Sequence, residues 1–276
     1  MKQTIKLWTL SAILAVICGV CVMTCYSSSG DAPSDSSRKE VRIAIAWRAD
    51  ADNEFCTNIV EAFREAGVTV TVLPQVKADY LDYCGNAVAA TCLDSCGIGY
   101  LSDASGALLR LRGCDGSNAA EVLSGVDGVI FTGGEDIAPT LLATPQDWHR
   151  IEAEIDYNAA RDVSDFLTMT YCLDHDIPLT GCPSWHHQAL LSTEGTPLRV
   201  TATTTVSGID MVEGIERTDK RCAVGVQFHP EAAIVKHTGK AVNSANADQF
   251  MAYDAAIPLF RAFIEVCKNG NNNDND

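Results

Sequence analysis

Val41-Arg42-Ile43-Ala44-Ile45-Ala46-Trp47 is an apolar run with the length and β-branched content of a buried strand. Directly after it, Asn53 to Ala66 places Phe55, Ile59, Val60 and Phe63 along one helical stripe. Gly67 stops that helix, and Val68-Thr69-Val70-Thr71-Val72-Leu73 reads as a second strand. A strand, a helix and a strand in about 30 residues form a parallel βαβ unit. A parallel sheet has both faces covered by crossover helices, so this opening predicts a layered α/β domain.

Working outward, the same alternation continues. Residues 76–118 are less regular and are read as an elaborated loop. Gly128-Val129-Ile130-Phe131-Thr132 is a buried strand that runs into Gly133-Gly134-Glu135-Asp136. Ile151 to His175 has the apolar spacing of a long amphipathic helix. Strands are expected at 177–181, 198–205, 211–216 and 221–226, with a closing helix over 257–266. The fold class is α/β: doubly wound, mostly parallel, with flanking helices in one domain over 41–268. Residues 269–276, rich in Asn and Asp, read as a disordered tail.

Lys2 and Lys6 precede an uncharged, mostly apolar stretch from Leu7 to Met23, and a serine-rich polar tract follows. That is the layout of an export signal over 1–25, with 26–40 as a tether. Thr24-Cys25 resembles a bacterial lipoprotein cleavage site, with Cys25 lipidated. A plain cleaved signal and an uncleaved anchor are the alternatives. The expected location is therefore periplasmic or membrane-tethered. The chain carries 36 acidic against 20 basic residues, a formal charge of −16, and the signal region holds no acid. Such a surface repels nucleic acid and anionic lipid, which excludes nucleic-acid-binding classes.

Twelve cysteines is a high count, and Cys18, Cys21 and Cys25 fall in the signal region. Cys84, Cys92, Cys96 and Cys114 cluster in the irregular stretch without a Cys-x-x-Cys pair, which argues against zinc. One or two disulfides within that stretch are expected after export, with buried thiols as the alternative.

Gly225-Val226-Gln227-Phe228-His229-Pro230-Glu231 carries the chemistry. On an extended backbone, residues two apart point the same way, so His229 and Glu231 are expected on one face of a strand end. Pro230 lacks an N–H and ends the ladder. An imidazole oriented by a carboxylate is the general-base half of a nucleophilic triad. A strand end that merely carries a histidine is the plain alternative.

Five segments together resemble the class I glutamine amidotransferase-like hydrolases, and within them the γ-glutamyl-γ-aminobutyrate hydrolase group, peptidase family C26. They are Phe131 to Pro139, Asn158-Ala159-Ala160-Arg161-Asp162, Ile177 to Gly181, Trp185-His186-His187-Gln188 and Gly225 to Glu231. The resemblance implies a flavodoxin-like, glutamine amidotransferase-like domain that needs no cofactor and no metal. It implies an oxyanion N–H from Gly133 or Gly134, a tight turn being the alternative role. It implies that Trp185, His186, His187 and Gln188 line the substrate side. Arg161-Asp162, mid-helix by this reading, is expected to fix the helix to neighbouring loops.

The pattern breaks where the family carries its nucleophile elbow, Gly-x-Cys-Arg-Gly-x-Gln. Here Gly181 is followed by Cys182-Pro183-Ser184-Trp185, as if an internal deletion joined the chain near 181–182. Cys182 is the candidate nucleophile, but Pro183 has no N–H to offer the oxyanion. Three functions follow as expectations. The first is hydrolysis of a small γ-glutamyl or glutamine-like substrate by Cys182, His229 and Glu231. The second is an inactive relative that binds ligands or acts at a surface. The third is an amidotransferase subunit, which the export signal opposes because ammonia would need a cytosolic partner. Oligomeric state is open.

Overall fold

The computed structural model describes residues 40–142, 157–182, 190, 192–239 and 251–270. The expected signal, the tether with Cys25, the tail from 271 and the Trp185 to Gln188 segment lie outside the described residues.

β1 (Ile43–Ile45), α1 (Glu54–Glu65) and β2 (Val70–Val72) form the expected parallel unit. Asn53 caps α1, its side chain accepting the Cys56 N–H, and Gly67 follows the C-cap at φ +98°. β5 (Gly128–Thr132), β6 (Leu179–Cys182), β7 (Leu198–Val206), β8 (Ile209–Arg217) and β9 (Ala223–Val226) complete a seven-stranded sheet. Its order is β2-β1-β5-β6-β9-β8-β7. The first five strands are parallel, and β8 and β7 add to β9 as an antiparallel hairpin. Among the parallel strands alone the order is 2-1-3-4-5, the flavodoxin-like winding, with its switch point between β1 and β5.

Helices cover both faces, so the sheet is doubly wound as expected. Ile43, Ile45 and Ile130 point into one apolar cluster with Ile59 and Phe63 of α1, Ile234 of α5 (Pro230–His237) and Phe260 of α6 (Tyr253–Gly270). Phe63 and Phe260 meet edge to face at 5.0 Å. The alternate residues Ala44, Ala46, Val129 and Phe131 enter a second cluster with Val163 and Leu167 of α4 (Ala159–Asp174). Every residue of β5 is buried, as a central strand covered on both faces requires.

Three expectations change. The stretch 76–118 is not a plain loop. It holds a hairpin of β3 (Tyr83–Cys84) and β4 (Ala87–Val88), a 3-10 turn at Ala90–Cys92 and a true helix, α2 (Asp103–Arg112), followed by the short α3 (Ala119–Val122). α2 packs through small residues, Ser105 and Gly106 beside Leu109, while Leu111 stays 83% exposed. It therefore carries no apolar stripe to read. Second, α4 begins at Ala159, because the Asn158 side chain caps it by accepting the Arg161 N–H at 3.1 Å. Arg161 and Asp162 thus sit in its first turn rather than mid-helix. Third, the disulfides expected among Cys84, Cys92, Cys96 and Cys114 are not formed. Cys84 and Cys96 face solvent, the Cys92 sulfur accepts the Asp82 N–H, and the Cys114 thiol donates to the Leu167 carbonyl of α4 at 3.1 Å. No helix among the described residues is long and apolar enough to cross a membrane.

α6 reaches the base of β5 so closely that a Cβ on Gly128 would lie 2.3 Å from Cys267 Sγ and 3.2 Å from Phe263 Cζ. Gly128→Ala is expected to cost about 1–3 kcal/mol of stability through this overpacking. Adding Cys267→Ala should restore part of the loss, and urea denaturation of the two variants checks both statements.

Candidate active site

The parallel strands end on one edge of the sheet, and the residues singled out in the sequence gather there. β5 ends at Thr132 and delivers Gly133-Gly134. β6 lies beside it with Thr132 paired to Cys182, so Cys182 is the last residue of its strand. On the other side of β6, Gly181 pairs with Gly225, which brings β9 and its continuation to His229 alongside. In open α/β sheets this carboxyl edge is where ligands bind. The sheet thus places Gly133, Gly134, Cys182, His229 and Glu231 along the same edge. The side chain of Cys182, with Trp185, His186, His187 and Gln188, lies outside what is described.

His229 and Glu231 meet by a different route from the one expected. β9 ends at Val226, and His229 is the N-cap of α5, with Pro230 at the first helical position. Proline suits that position because its missing N–H has no helical partner to lose. The first turn of α5, not a shared strand face, brings Glu231 back under the imidazole. The His229 Nδ1–H donates to Glu231 Oε1, which leaves Nε2 as the nitrogen able to take a proton. Glu231 is 1% exposed, and its Oε2 has no hydrogen-bond partner among the described residues. A buried carboxylate held by one imidazole is costly for stability alone. That imbalance is the pattern of a group retained for chemistry.

The Gly-Gly loop is held by an ion network that the sequence did not disclose. Arg48, just beyond β1, is buried at the switch point. It donates to the Trp47 carbonyl at 2.6 Å, the Thr132 carbonyl at 2.7 Å, the Thr132 hydroxyl and Asp165 Oδ1 at 2.8 Å. Asp165 in α4 also receives Arg161 Nε at 3.3 Å. Arg161 Nη1 then donates to the Glu135 carbonyl at 2.8 Å and to Glu135 Oε2 at 2.6 Å, and Asn158 donates to Glu135 Oε1 at 2.9 Å. Burial alone would raise the Glu135 carboxyl, but the Arg161 and Asn158 hydrogen bonds hold it below its ordinary range. The guanidinium fills the space over the loop: a Cβ on Gly134, at φ +153°, would lie 2.6 Å from Arg161 Nη1. Glycine is therefore required at 134 by close approach, whatever its N–H does. Arg161 and Asp162 fix the loop as expected. Asp165 at i+4 from Arg161 was the available signal, and Arg48 offered only its place after a buried strand.

Asp162 accepts the Ala138 N–H at 3.0 Å, and burial pushes its carboxyl up to about 7 against the opposing pull of Arg161. Below the unfolded value, about 4, both states are protonated and the contribution is complete. As pH rises towards 7 the unfolded chain ionises first, and stability is lost. Asp162→Asn keeps an acceptor for Ala138 and removes the titration. Thermal melts are expected to show a variant matching the parent near pH 4 and melting a few degrees higher at pH 8. Asp165→Ala strands two largely buried guanidinium groups and should cost about 2–4 kcal/mol in denaturant titration.

With the geometry in view, the comparisons with known proteins are brief. The Peptidase C26 family profile matches this chain in two segments, residues 67–183 and 180–231, which meet at the end of β6. Among proteins of curated function none matches. Among solved structures, the Trypanosoma brucei CTPS glutaminase domain with bound acivicin is similar at 13% identity and a TM-score of 0.42, covering 83% of this chain and 94% of that one.

Proposed function

The chain belongs to the peptidase C26 family, of glutamine- or γ-glutamyl-amide hydrolase type, and on that premise we propose that it hydrolyses γ-glutamyl amide bonds through a cysteine nucleophile. The observation that carries the reading is the pair of His229 and Glu231, a buried carboxylate spent on orienting one imidazole at the carboxyl edge of the sheet. In the proposed reaction His229 Nε2 takes the thiol proton of Cys182, and the thiolate attacks the amide carbon. His229 then returns that proton to the leaving amine, and water repeats the cycle on the thioester. Glu231 holds the imidazole in the tautomer with Nε2 facing the substrate. A backbone N–H of Gly133 or Gly134 stabilises the oxyanion.

Pro183 supplies no second oxyanion donor, and one missing donor costs on the order of 3 kcal/mol of barrier. The proposed enzyme is therefore slow. The same residue, with the family match breaking in two at 180–183, favours a second reading in which the chain has kept the fold and part of the pocket but only binds. Export through residues 1–25, with or without lipid on Cys25, is part of the proposal and places the substrate outside the cytosol.

Release of p-nitroaniline from γ-glutamyl-p-nitroanilide separates the two readings. Turnover is expected in the parent. It should fall at least a hundredfold in Cys182→Ala and in His229→Ala, and at least tenfold in Glu231→Gln. Turnover that survives Cys182→Ala sinks the nucleophile assignment. No turnover in the parent, together with saturable binding of the substrate, supports the binding relative.

A further inference from the structure

We propose that Glu135 is a positioning residue for the oxyanion: its carboxylate sets the direction in which the Gly133-Gly134 turn presents a backbone N–H. This role rests on the hydrolysis proposed above. Glu135 follows Gly134 in the chain, and donors from three sources converge on it. Arg161 Nη1 donates to its carbonyl at 2.8 Å and to its Oε2 at 2.6 Å. Asn158 donates to its Oε1 at 2.9 Å. Its own backbone N–H lies on the same carboxylate. Asn158 and Arg161 stand at the start of α4, where the Asn158 side chain caps the helix by accepting the Arg161 N–H. A carboxylate placed there also meets the partial positive charge at the N-terminus of a 16-residue helix. Glu135 is thus clamped to one rigid element through both its carbonyl and its carboxylate. The Gly134 N–H, one residue earlier, has no backbone acceptor among the described residues. The turn commits the Glu135 N–H to its own side chain and keeps the Gly134 N–H open.

Stability alone asks little of this clamp. The Glu135 side chain is 28% exposed, and an ion pair that wet contributes little to folding. Arg161 keeps Asp165 at 3.3 Å and the Glu135 carbonyl when the carboxylate is removed, so its charge stays paired. What the carboxylate adds is direction. Without it the Glu135 carbonyl retains one bond to Arg161, the Glu135 N–H is released, and the peptide between Gly134 and Glu135 is free to rotate. A donor displaced by about an ångström loses much of its worth to the transition state. The oxygen it serves is neutral in the bound substrate and charged only in the tetrahedral intermediate. The loss therefore falls on kcat rather than on KM.

The test is steady-state hydrolysis of γ-glutamyl-p-nitroanilide by the full chain and three variants. Glu135→Ala is expected to lower kcat about 30- to 100-fold and to leave KM within about twofold of the parent. Glu135→Gln keeps an acceptor for Arg161 but loses one carboxylate oxygen, and should retain about a tenth of the parent kcat. Neither variant should move the pH limb set by His229, because Glu135 carries no proton in the reaction. Gly128→Ala, at the opposite end of β5, is the control for stability: its melting temperature should fall while its kcat stays that of the parent. A Glu135→Ala enzyme with the parent's kcat overturns the positioning role and leaves the hydrolysis standing. A loss confined to KM, or a kcat loss of the same size in Gly128→Ala, overturns it equally. A parent with no turnover overturns the hydrolysis itself, and the role of Glu135 with it.

Discussion

Asp165 is the point on which the carboxyl edge of the sheet depends. It is one carboxylate between two guanidinium groups, Arg48 and Arg161, and neither of those is exposed enough to be satisfied by water. Through Arg48 it holds the ends of β1 and β5 together at the switch point. Through Arg161 it holds Glu135 and thereby the turn at Gly134. At the switch point the buried guanidinium of Arg48 must stay paired with Asp165. The effect is rigidity: the loop after β5 is fixed by directional bonds to α4 and has little freedom to adapt to a ligand.

The two halves of the site are built on different principles. The Gly-Gly loop is fully braced, and each of its braces is satisfied in more than one direction. His229 and Glu231 are joined by a hydrogen bond at the start of α5, and among the described residues Glu231 Oε2 has no hydrogen-bond partner.

The sheet was largely legible in the sequence. β5 matches the expected 128–132 residue for residue, and α1 is bounded by its Asn53 cap and Gly67, because period and punctuation agree there. α2 was hidden because its inner face is made of Ser105 and Gly106, and close packing of small residues leaves no hydrophobic trace. α5 was hidden because Pro230 ends a strand and begins a helix with equal ease. Within the site, His229 and Glu231 could be named from their motif. Arg48 could not, since its ion pair with Asp165, so far off in sequence, is a property of the winding, and one charged residue after a strand resembles any other; Asp165 offered only its i+4 spacing from Arg161. The missing elbow was legible only as a discontinuity in the sequence after Gly181.

Strands β7 and β8 are joined by Ser207 and Gly208, both at positive φ, in the two-residue turn that suits the twist of a hairpin. Contacts this local form within microseconds, whereas β6 and β9 must first close the loop that contains the hairpin. Gly214 to Glu216 of β8 then offer β9 a ready edge. Time of arrival therefore runs against function. Strand β9, which leads to His229, is expected to dock onto a preformed hairpin before it reaches β6, and His229 takes its place from the side of the sheet opposite to the loop that Asp165 braces.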